Sequence, residues 1–407
     1  MKNVLLFTHS YPYTKNSETF LESEIALSST LKDVKITLIP LVKNDYKRDI
    51  PSNIDINDGL NNLSLYGKMK ILFQMFFSLW FWRLLRVSSF SLNIKKIVSE
   101  VKYLYGSIWI SNFILAHKEL WRGETVFYSY WFNHTPLGFY LAKCQNKDLY
   151  NYRFYTRAHG FDLYESERKV YIPYREQAMQ GVNAVFAISD VGASFLKKKY
   201  SLYQHKIMVS RLGVLPIPSS NEKKKKIEKI EFISCSSVWH LKRVDLILKS
   251  IVNYSRLNPA YNITWTHIGD GCDMDKLRKQ VSEYKNEIIN LKVKLLGTIT
   301  NTDIRQLYSR NDFDIFINLS VSEGIPVSIM EAIAAGIPVI ATDVGGTREI
   351  VGVDTGYLLP VNFEQKEFNC TVNKLMKNIE KLHHSSYLFF NEYYNAQKNY
   401  TNFYQLI

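Results

Sequence analysis

The sequence predicts an α/β protein made of two Rossmann-like halves, and three observations support this prediction. The chain has 407 residues, which is long for one ordinary core, and 46% of them are hydrophobic. Short apolar runs alternate with segments of helical periodicity along both halves. After Pro218 lies the charged stretch SSNEKKKKIEK, which is typical of a linker. We therefore predict domains at residues 1–217 and 218–385, followed by a helical tail at residues 386–407.

The first half opens with a predicted βαβ unit. It consists of the strand Asn3–His9, the helix Glu18–Leu31 and the strand Val34–Pro40. The turn after the first strand reads THSYPYTKNSET and contains no GxGxxG, so its way of holding a ligand stays open. The apolar run Val4–Phe7 is much shorter than the core of a secretory signal, and we expect no export signal.

The segment Met69–Val87 predicts a helix with a wide aromatic face. Its sequence is MKILFQMFFSLWFWRLLRV, in which Lys70, Gln74 and Ser78 form a narrow polar stripe. The segment is too short and too interrupted to span a bilayer. Two interpretations stay open. In the first, the helix is buried between layers of the first domain. In the second, it dips one face into a membrane interface, with tryptophans and arginines at the level of the headgroups. The two are compatible for different turns of the helix.

The second half restarts with the predicted strand Ile230–Cys235 and continues in strand and helix alternation to about Ile379. Near its end, the apolar run Phe313–Leu319 predicts a buried parallel strand. A polar turn follows, and Pro326 fits the first position of the next helix. A second buried strand is predicted at Val339–Ala341.

Two glutamates, Glu323 and Glu331, lie in the turn and the helix that follow the first of these strands. Taken alone, Glu323 is a charge at a helix N-terminus and Glu331 is a solvated surface residue. The glycine pair Gly345 and Gly346 changes this interpretation, because it forms a second turn of the same kind after the next strand. Two adjacent strand-to-helix turns rich in backbone donors line one crevice. The stretch therefore predicts a nucleotide-sugar site.

The motifs of this region resemble those of the retaining glycosyltransferases of family four. They are E-G-x-P-x-x-x-x-E at residues 323–331 and A-x-x-x-G-x-P-V-I-A-T-D-V-G-G-x-x-E-x-V at residues 332–351. Further motifs occur in family order, namely RAHGFDLYE (157–165), SRLGV (210–214), LKRVD (241–245), IGDG (268–271) and LLGTIT (295–300). The resemblance implies the GT-B fold, in which two Rossmann-like domains face each other across a cleft. It also implies that the tail helix crosses back to the N-terminal domain.

The resemblance implies a donor site in the second domain. Lys242 precedes a helix and is expected to meet the donor diphosphate, with Arg243 beside it, since Ser237 stands where many family members have an arginine. Glu331 is expected to accept hydrogen bonds from both ribose hydroxyls and Glu323 from hydroxyls of the donor sugar. The other donor contacts implied are Gly324, Ile325, Gly297, Thr298, Ile299, Gly345 and Gly346. Without the resemblance, Lys242 and Arg243 are ordinary exposed residues of a basic loop.

The first domain contributes histidines to the expected site. His159 follows the predicted strand Tyr152–Thr156 and precedes a glycine, and the resemblance implies that it contacts the donor sugar at the reaction centre. A lone histidine is more often structural. Arg157 is a further candidate near the reaction centre and the acceptor. His9 and His134 are candidates for the acceptor side.

No metal and no organic cofactor is expected. The donor substrate of the chain is a UDP- or GDP-sugar by resemblance. The four cysteines form neither a CxxC pair nor a disulfide framework, which favours a reduced cytoplasmic setting. They are Cys144, Cys235, Cys272 and Cys370.

The charge of the chain favours an anionic partner. Its net charge is +13, and residues 1–218 carry 28 Lys and Arg against 17 Asp and Glu, while the remainder carries 23 against 21. An anionic membrane surface fits this basic surplus. No nucleic-acid-binding motif accompanies the charge, so nucleic acid is not expected as a partner.

These observations predict a retaining, metal-independent hexosyltransferase at the inner face of a membrane. Its expected acceptor is a saccharide or a lipid-linked saccharide in the biosynthesis of a bacterial surface polysaccharide, such as O-antigen, capsule or exopolysaccharide. Two alternatives stay open. One is a GT-B sugar-nucleotide epimerase, and the other is a non-catalytic membrane- or polymer-binding protein with the same fold. The donor sugar, the base, the linkage and the oligomeric state are not determined by the sequence.

Overall fold

The computed structural model of the chain forms two compact units. The first consists of Met1–Arg211 with Lys398–Ile407, and the second of Leu212–Gln397. The structure describes residues 1–14, 17–18, 20–61, 64–78, 94–165, 172–218, 228–285, 288–310 and 312–407. Most of the predicted linker and the second half of the aromatic segment, residues 79–87, lie outside the described residues.

The first unit is built on a parallel sheet with the strand order β3-β2-β1-β4-β5-β6-β7 across its described residues. Its strands are β1 (Lys2–Thr8), β2 (Val34–Pro40), β3 (Asp55–Ile56), β4 (Thr125–Ser129), β5 (Arg153–Ala158), β6 (Ala184–Ala187) and β7 (Ile207–Val209). Val4 of β1 lies opposite both Ile36 and Val126, so β1 is a central strand. A parallel sheet must be covered on both faces, which explains the near-continuous apolar runs of β1 and β4.

The first unit also contains helices. They are α1 (Leu21–Ser28), α2 (Leu65–Phe77), α3 (Ile94–Ala116), α4 (Thr135–Gln145), α5 (Gly160–Leu163), α6 (Arg175–Gly181) and α7 (Asp190–Lys199). The predicted helix Glu18–Leu31 is three residues shorter at each end. Its start differs because Glu18 has a left-handed φ of 55° and its carboxylate binds amides of the preceding loop instead of entering the helix.

The described part of the aromatic segment presents two faces. In α2, Ile71 and Met75 are buried and pack with Leu104 and Ile108 of α3. The other apolar side chains of α2 are exposed, namely Leu65, Tyr66, Met69, Leu72, Phe73, Phe76 and Phe77. One face of this helix is therefore core, and the opposite face is open to solvent. Among the residues that the structure describes, no helix is long and apolar enough to cross a membrane.

The second unit contains another parallel sheet, with the order β10-β9-β8-β11-β12-β13 across the residues described there. Its strands are β8 (Lys229–Cys235), β9 (Asn262–Ile268), β10 (Leu291–Leu295), β11 (Ile315–Asn318), β12 (Val339–Thr342) and β13 (Gly356–Leu359). The chain moves outward from β8 to β10 and then returns to the other side of β8 with β11. The loops after β8 and β11 therefore diverge at a topological switch point, where α/β sheets bind their ligands.

The remaining helices complete the second unit and the tail. They are α8 (Val244–Leu257), α9 (Met274–Lys285), α10 (Asn301–Ser309), α11 (Val327–Ala334), α12 (Gln365–Lys377), α13 (Ile379–Tyr393) and α14 (Ala396–Leu406). Pro326 precedes α11 as its N-cap residue, with φ −76° and ψ 104°, one position earlier than predicted. From Lys398 onward, α14 belongs to the first unit.

The tail helix packs over a buried charge pair of the first unit. Arg157 and Glu24 are fully buried, with 3.8 Å between Nη2 and Oε2. The Arg157 guanidinium lies 4.5 Å from the ring centre of Phe403, and Tyr404 donates a hydrogen bond to Glu24. Burial of a charge is costly unless it is paired, so these tail residues complete the core of the first unit.

Candidate functional site

The best-defined cluster at the switch point surrounds Glu323. One carboxylate oxygen, Oε1, accepts from Lys242 Nζ at 2.7 Å and from Asn318 Nδ2 at 3.1 Å. Ser320 Oγ lies 2.6 Å from the same oxygen and 2.6 Å from Asn318 Oδ1, so its single proton serves one of them at a time. The Glu323 side chain is 8% exposed and that of Lys242 is 22% exposed. A buried carboxylate with a cation and two neutral partners is a preorganised polar site.

The fold brings Lys242 and Glu323 together through their loops. Lys242 lies in the loop between β8 and α8, and Glu323 in the loop between β11 and α11. The backbone N–H of Val321 donates to the carbonyl of Leu241 at 2.9 Å, which ties the two loops to each other. The strand order puts β8 and β11 side by side, so residues 81 positions apart form one ion pair.

The glycine turn at residues 345–346 packs directly on the loop that carries Glu323. The N–H of Gly346 donates to the carbonyl of Gly324 at 2.8 Å, and Gly345 has φ 52°. A Cβ on Gly345 would lie 1.9 Å from the carbonyl oxygen of Glu323. Glycine is therefore required at position 345 both for the left-handed backbone and for the close approach. The expected contacts of these glycines, and of Ile325, with donor phosphates or sugar stay predictions.

Glu331 lies on α11, about one turn after its start, and is partly buried. Its negative charge acts on the guanidinium of Arg305, whose pKa is lowered by burial and raised by Glu331. Burial raises the pKa of the Cys235 thiol at the end of β8, and Glu331 raises it further. Glu331 is thus close to the end of β8 and to a cation. Arg305 itself donates to the carbonyls of Leu215 and Pro216, each at 2.8 Å.

Arg243 makes contacts other than the phosphate contact that the sequence suggested. Its φ of 47° is left-handed, and its side chain donates to the carbonyls of Leu319 at 2.5 Å and Val361 at 2.8 Å. Burial lowers the pKa of this guanidinium. The arginine therefore connects the chain segments that follow β11 and β13, which lie on either side of β12. Its expected donor contact stays a prediction.

The turn at residues 297–299, which belongs to the expected donor contacts, is open. Gly297 has φ 66°, and a Cβ built on it meets no atom within 4 Å. Its carbonyl accepts from the N–H of Gly269 at 2.8 Å, which joins the loops after β9 and β10. Thr298 is exposed and Ile299 is partly buried. This turn has room for a ligand beside it.

In the first unit, His159 lies at the carboxyl end of β5 and is 5% exposed. Its backbone N–H donates to Asp162 Oδ1 at 2.6 Å, and Asp162 Oδ2 accepts from the N–H of Phe132 at 2.7 Å. Neither ring nitrogen of His159 has a hydrogen-bond partner among the described residues. Burial lowers the pKa of this imidazole, although Asp162 opposes that shift, so the neutral form is favoured.

The three acceptor-side candidates differ in their surroundings. His9 is exposed at the end of β1. Burial lowers the pKa of His134 to about 4, with a smaller effect from the charge of His9. Arg157 is 0% exposed and donates from Nε to the hydroxyl of Tyr128 at 2.8 Å. That burial places Arg157 in the core of the first unit, beneath the tail helix, and its expected role near the acceptor stays a prediction.

Several residues of these clusters were not found from the sequence. The side chains of Asn318 and Ser320 contact the Glu323 carboxylate. The Glu18 carboxylate accepts hydrogen bonds from the loop after β1. Ser320 was interpreted only as part of a polar turn. The signal for Asn318 is its amide at the end of an otherwise apolar strand. Among the described residues, no group of three or more histidine, cysteine or acidic side chains is placed to hold a metal ion.

Part of the second unit matches a known protein family. Residues 218–387 match the family described as glycosyl transferases group 1, in agreement with the predicted family. The chain is 29% identical over 238 residues to the putative colanic acid biosynthesis glycosyltransferase WcaL of Escherichia coli K12, covering 56% of each protein. It is 32% identical over 147 residues to the O-antigen biosynthesis glycosyltransferase WbnH of Escherichia coli, covering 36% of this chain and 37% of WbnH. The chain thus spans about half or less of the length of these curated relatives.

A solved structure of another protein aligns with the whole length of this chain. Alr3699/HepE of Anabaena, crystallised in complex with UDP, has a TM-score of 0.65 and 14% identity, covering 100% of this chain and 99% of that one. At this identity the likeness shows the fold. The chain has the GT-B fold, and the predicted fold class is confirmed.

Proposed function

We propose that the chain transfers a hexose-type sugar from a nucleotide diphosphate sugar to a saccharide or lipid-linked acceptor. The match of residues 218–387 to the glycosyl transferases group 1 family supports this proposal. The observation that carries the proposal is the contact between Lys242 and Glu323 at the switch point of the second sheet. A cation and a carboxylate within 2.7 Å of each other suit a ligand that presents phosphates and hydroxyls together.

In the proposed reaction, the bond between the anomeric carbon and the diphosphate oxygen breaks, and its electron pair leaves with the diphosphate. Lys242 balances the charge that develops there. A hydroxyl of the acceptor forms the new bond to the anomeric carbon, and its proton passes to the departing phosphate. Glu323 accepts hydrogen bonds from the transferred sugar and fixes its orientation. Retention of configuration and independence of a metal belong to the same proposal.

The nucleotide is held through its ribose. Glu331 has two carboxylate oxygens for two ribose hydroxyls and lies near the end of β8, the strand that leads to Lys242. UDP-sugars are the first donors to test, because HepE was crystallised with UDP. GDP-sugars are the second class. WcaL and WbnH are described by their names as enzymes of colanic acid and O-antigen biosynthesis, which supports a role in bacterial surface polysaccharide assembly.

Association with an anionic membrane surface at the cytoplasmic side completes the proposal. The exposed face of α2 includes Phe73 and Phe77, whose ring centres are 4.4 Å apart and whose side chains are 66% and 64% exposed. Lys68 and Lys70 are exposed on the same helix. Aromatic rings beside lysines fit the boundary between acyl chains and anionic headgroups. This placement gives access to a lipid-linked acceptor.

The function is tested with a panel of nucleotide sugars, measured by thermal stabilisation and then by product analysis. The best donor is expected to lose about 1 to 3 kcal/mol of binding free energy with Glu331→Ala, because hydrogen-bond partners of the ribose are removed. Glu380→Ala, an exposed glutamate of the same unit, is the matched control. Unchanged donor binding in Glu331→Ala contradicts the assignment.

The products distinguish the alternatives. A glycosylated acceptor and a free nucleoside diphosphate are expected for the proposed transferase. A free isomerised nucleotide sugar selects the epimerase instead. Donor binding without turnover over any acceptor selects a non-catalytic binding protein.

A further inference from the structure

Aromatic side chains surround His159 in the first unit. The ring centre of His159 lies 4.5 Å from that of Trp131, 4.8 Å from Tyr130 and 5.6 Å from Phe20. Phe161 lies 6.1 Å from Trp131 and is 64% exposed. We call Phe20, Trp131, His159 and Phe161 the aromatic platform. Trp131 follows β4 and His159 follows β5, so the platform lies at the carboxyl ends of neighbouring parallel strands.

Glu18 fixes the platform from one side. Its carboxylate accepts from the backbone N–H groups of His9, Ser10 and Tyr11 at 2.9, 2.8 and 2.7 Å. It also accepts from the indole N–H of Trp131 at 2.6 Å. The hydroxyl of Ser10 donates to the same carboxylate at 3.4 Å. These donors on one buried carboxylate hold the loop after β1 and the plane of the indole in one arrangement.

The same contacts indicate which ligand the platform takes. Successive backbone N–H groups in a turn are a typical binding site for a phosphate, but those of residues 9–11 already bind the Glu18 carboxylate. A second anion at these amides would meet the negative charge of Glu18. The loop after β1 therefore favours a ligand without charge.

His159 supplies a polar contact within the aromatic surroundings. Its ring is buried, its nitrogens make no hydrogen bond among the described residues, and Nδ1 lies 3.9 Å from Asp162 Oδ2. A neutral imidazole has one N–H donor and one acceptor nitrogen, and a hydroxyl group can meet either. Apolar lining with a few polar groups is the usual composition of a small-molecule site. A sugar ring has both features, since its C–H face is apolar and its edge carries hydroxyls.

We propose that the aromatic platform is the subsite for a neutral pyranose ring of the acceptor, with Trp131 as the stacking residue and Glu18 as the positioning residue. This proposal rests on the proposed glycosyltransferase function. According to this proposal, the part of the acceptor that binds beside the loop after β1 is an uncharged sugar and not a phosphate. Any lipid or phosphate of the acceptor then lies away from residues 9–11.

The proposal is tested with saturation-transfer NMR, using the full chain and methyl glycosides of glucose, galactose and N-acetylglucosamine as probes. At least one glycoside is expected to bind, and Trp131→Leu is expected to weaken that binding about tenfold. Tyr150→Leu is the matched control, because Tyr150 is also an aromatic residue of the first unit and is 64% exposed. Equal binding by Trp131→Leu and the unaltered chain overturns the proposal, and so does binding of sugar phosphates in place of the neutral glycosides.

Steady-state kinetics distinguish a positioning role of these residues from a general loss of activity. With the best donor, Trp131→Leu and Glu18→Gln are expected to raise the KM for a saccharide acceptor about tenfold, while donor KM and donor hydrolysis without acceptor stay unchanged. Trp131→Phe keeps an aromatic ring and is expected to recover most of the acceptor binding. A rise in donor KM instead assigns the platform to the donor and overturns the proposal.

The NMR experiment needs neither donor nor turnover. Binding of glycosides that depends on Trp131, without any nucleotide-sugar binding, refutes the proposed function and leaves a sugar subsite. Nucleotide-sugar turnover with no effect of Trp131 leaves the function and refutes the subsite.

Discussion

Glu323 concentrates its contacts on one oxygen. Lys242, Asn318 and Ser320 all lie within 3.1 Å of Oε1. The ion pair neutralises Lys242 until a stronger anion arrives, and a diphosphate carries more charge than one carboxylate. We therefore expect Lys242 to move toward the donor phosphates while Asn318 and Ser320 keep Glu323 in place. The two neutral partners make this exchange possible without leaving a buried charge unsatisfied.

Replacement of the lysine tests this exchange. We expect Lys242→Met to lower kcat about 10²- to 10³-fold, because the charge on the leaving diphosphate loses its cation. The melting temperature should change little, since Asn318 and Ser320 still bind Glu323. The measurement is donor turnover together with thermal unfolding.

The matched control is Lys249→Met, an exposed lysine on α8. It should have unchanged turnover. A normal kcat in Lys242→Met would show that the leaving group is stabilised elsewhere.

The sequence placed Glu323 and Lys242 in the correct loops, because each follows an apolar strand and precedes a helix. It did not show that Asn318 and Ser320 hold Glu323, since those contacts depend on side-chain directions around a tight turn. The direction of Arg243 could not be predicted either. Its φ of 47° turns the guanidinium toward the carbonyls of Leu319 and Val361, and nothing in the residue types signals a left-handed arginine.

At the scale of elements, the helix α2 has a buried face and an exposed apolar face. Exposed apolar patches of this kind mark interaction surfaces. We expect the chain to float with liposomes that contain anionic lipid and to do so less at high salt, because charge attraction is screened. The double variant Phe73→Ser with Phe77→Ser should float less, since about 1.5 to 3 kcal/mol of burial is lost per ring.

Leu202→Ser is the control for flotation. Leu202 is 80% exposed in the same unit and lies outside α2. If the double variant floats as well as Leu202→Ser, α2 does not contribute to membrane binding. If the chain floats equally well with neutral and with anionic liposomes, charge attraction does not contribute to membrane binding.

The tail helix α14 is the second element with a testable role. Phe403 is 2% exposed and its ring lies 5.0 Å from Tyr128 and 5.1 Å from Phe186. We expect Phe403→Ala to lower the free energy of unfolding by about 3 to 5 kcal/mol, because a cavity forms over Arg157. Chemical denaturation followed by circular dichroism measures this change.

In the same helix, Leu406 is 54% exposed, and Leu406→Ala should stay within about 0.5 kcal/mol of the unaltered chain. A small effect of Phe403→Ala would mean that the tail does not support the core of the first unit.

Element boundaries show what periodicity can and cannot predict. The strand Val34–Pro40 agrees with its prediction at both ends, and its last five residues are all buried, as expected for a parallel strand that is covered on both faces. Helix α1 starts three residues later than predicted. Its boundary is set by the carboxylate of Glu18, which binds a loop before it, and such a long-range contact leaves no local pattern.

For the whole molecule, strand and helix alternation was sufficient to predict two parallel sheets. The order of strands within each sheet was not predicted, because residue patterns do not state which strands become neighbours. That order decides the site, since it places β8 beside β11 and thereby Lys242 beside Glu323. Periodicity alone did not relate Lys242 to Glu323. The resemblance to a known family assigned both residues to the same expected donor site.

The most direct test of the account is a crystal structure of the chain with its best nucleotide sugar bound. We expect both ribose hydroxyls within hydrogen-bond distance of the Glu331 carboxylate and the diphosphate beside Lys242 Nζ, with the ion pair to Glu323 opened. A nucleotide bound away from Glu331, or bound with the contact between Lys242 and Glu323 unchanged, would contradict the account.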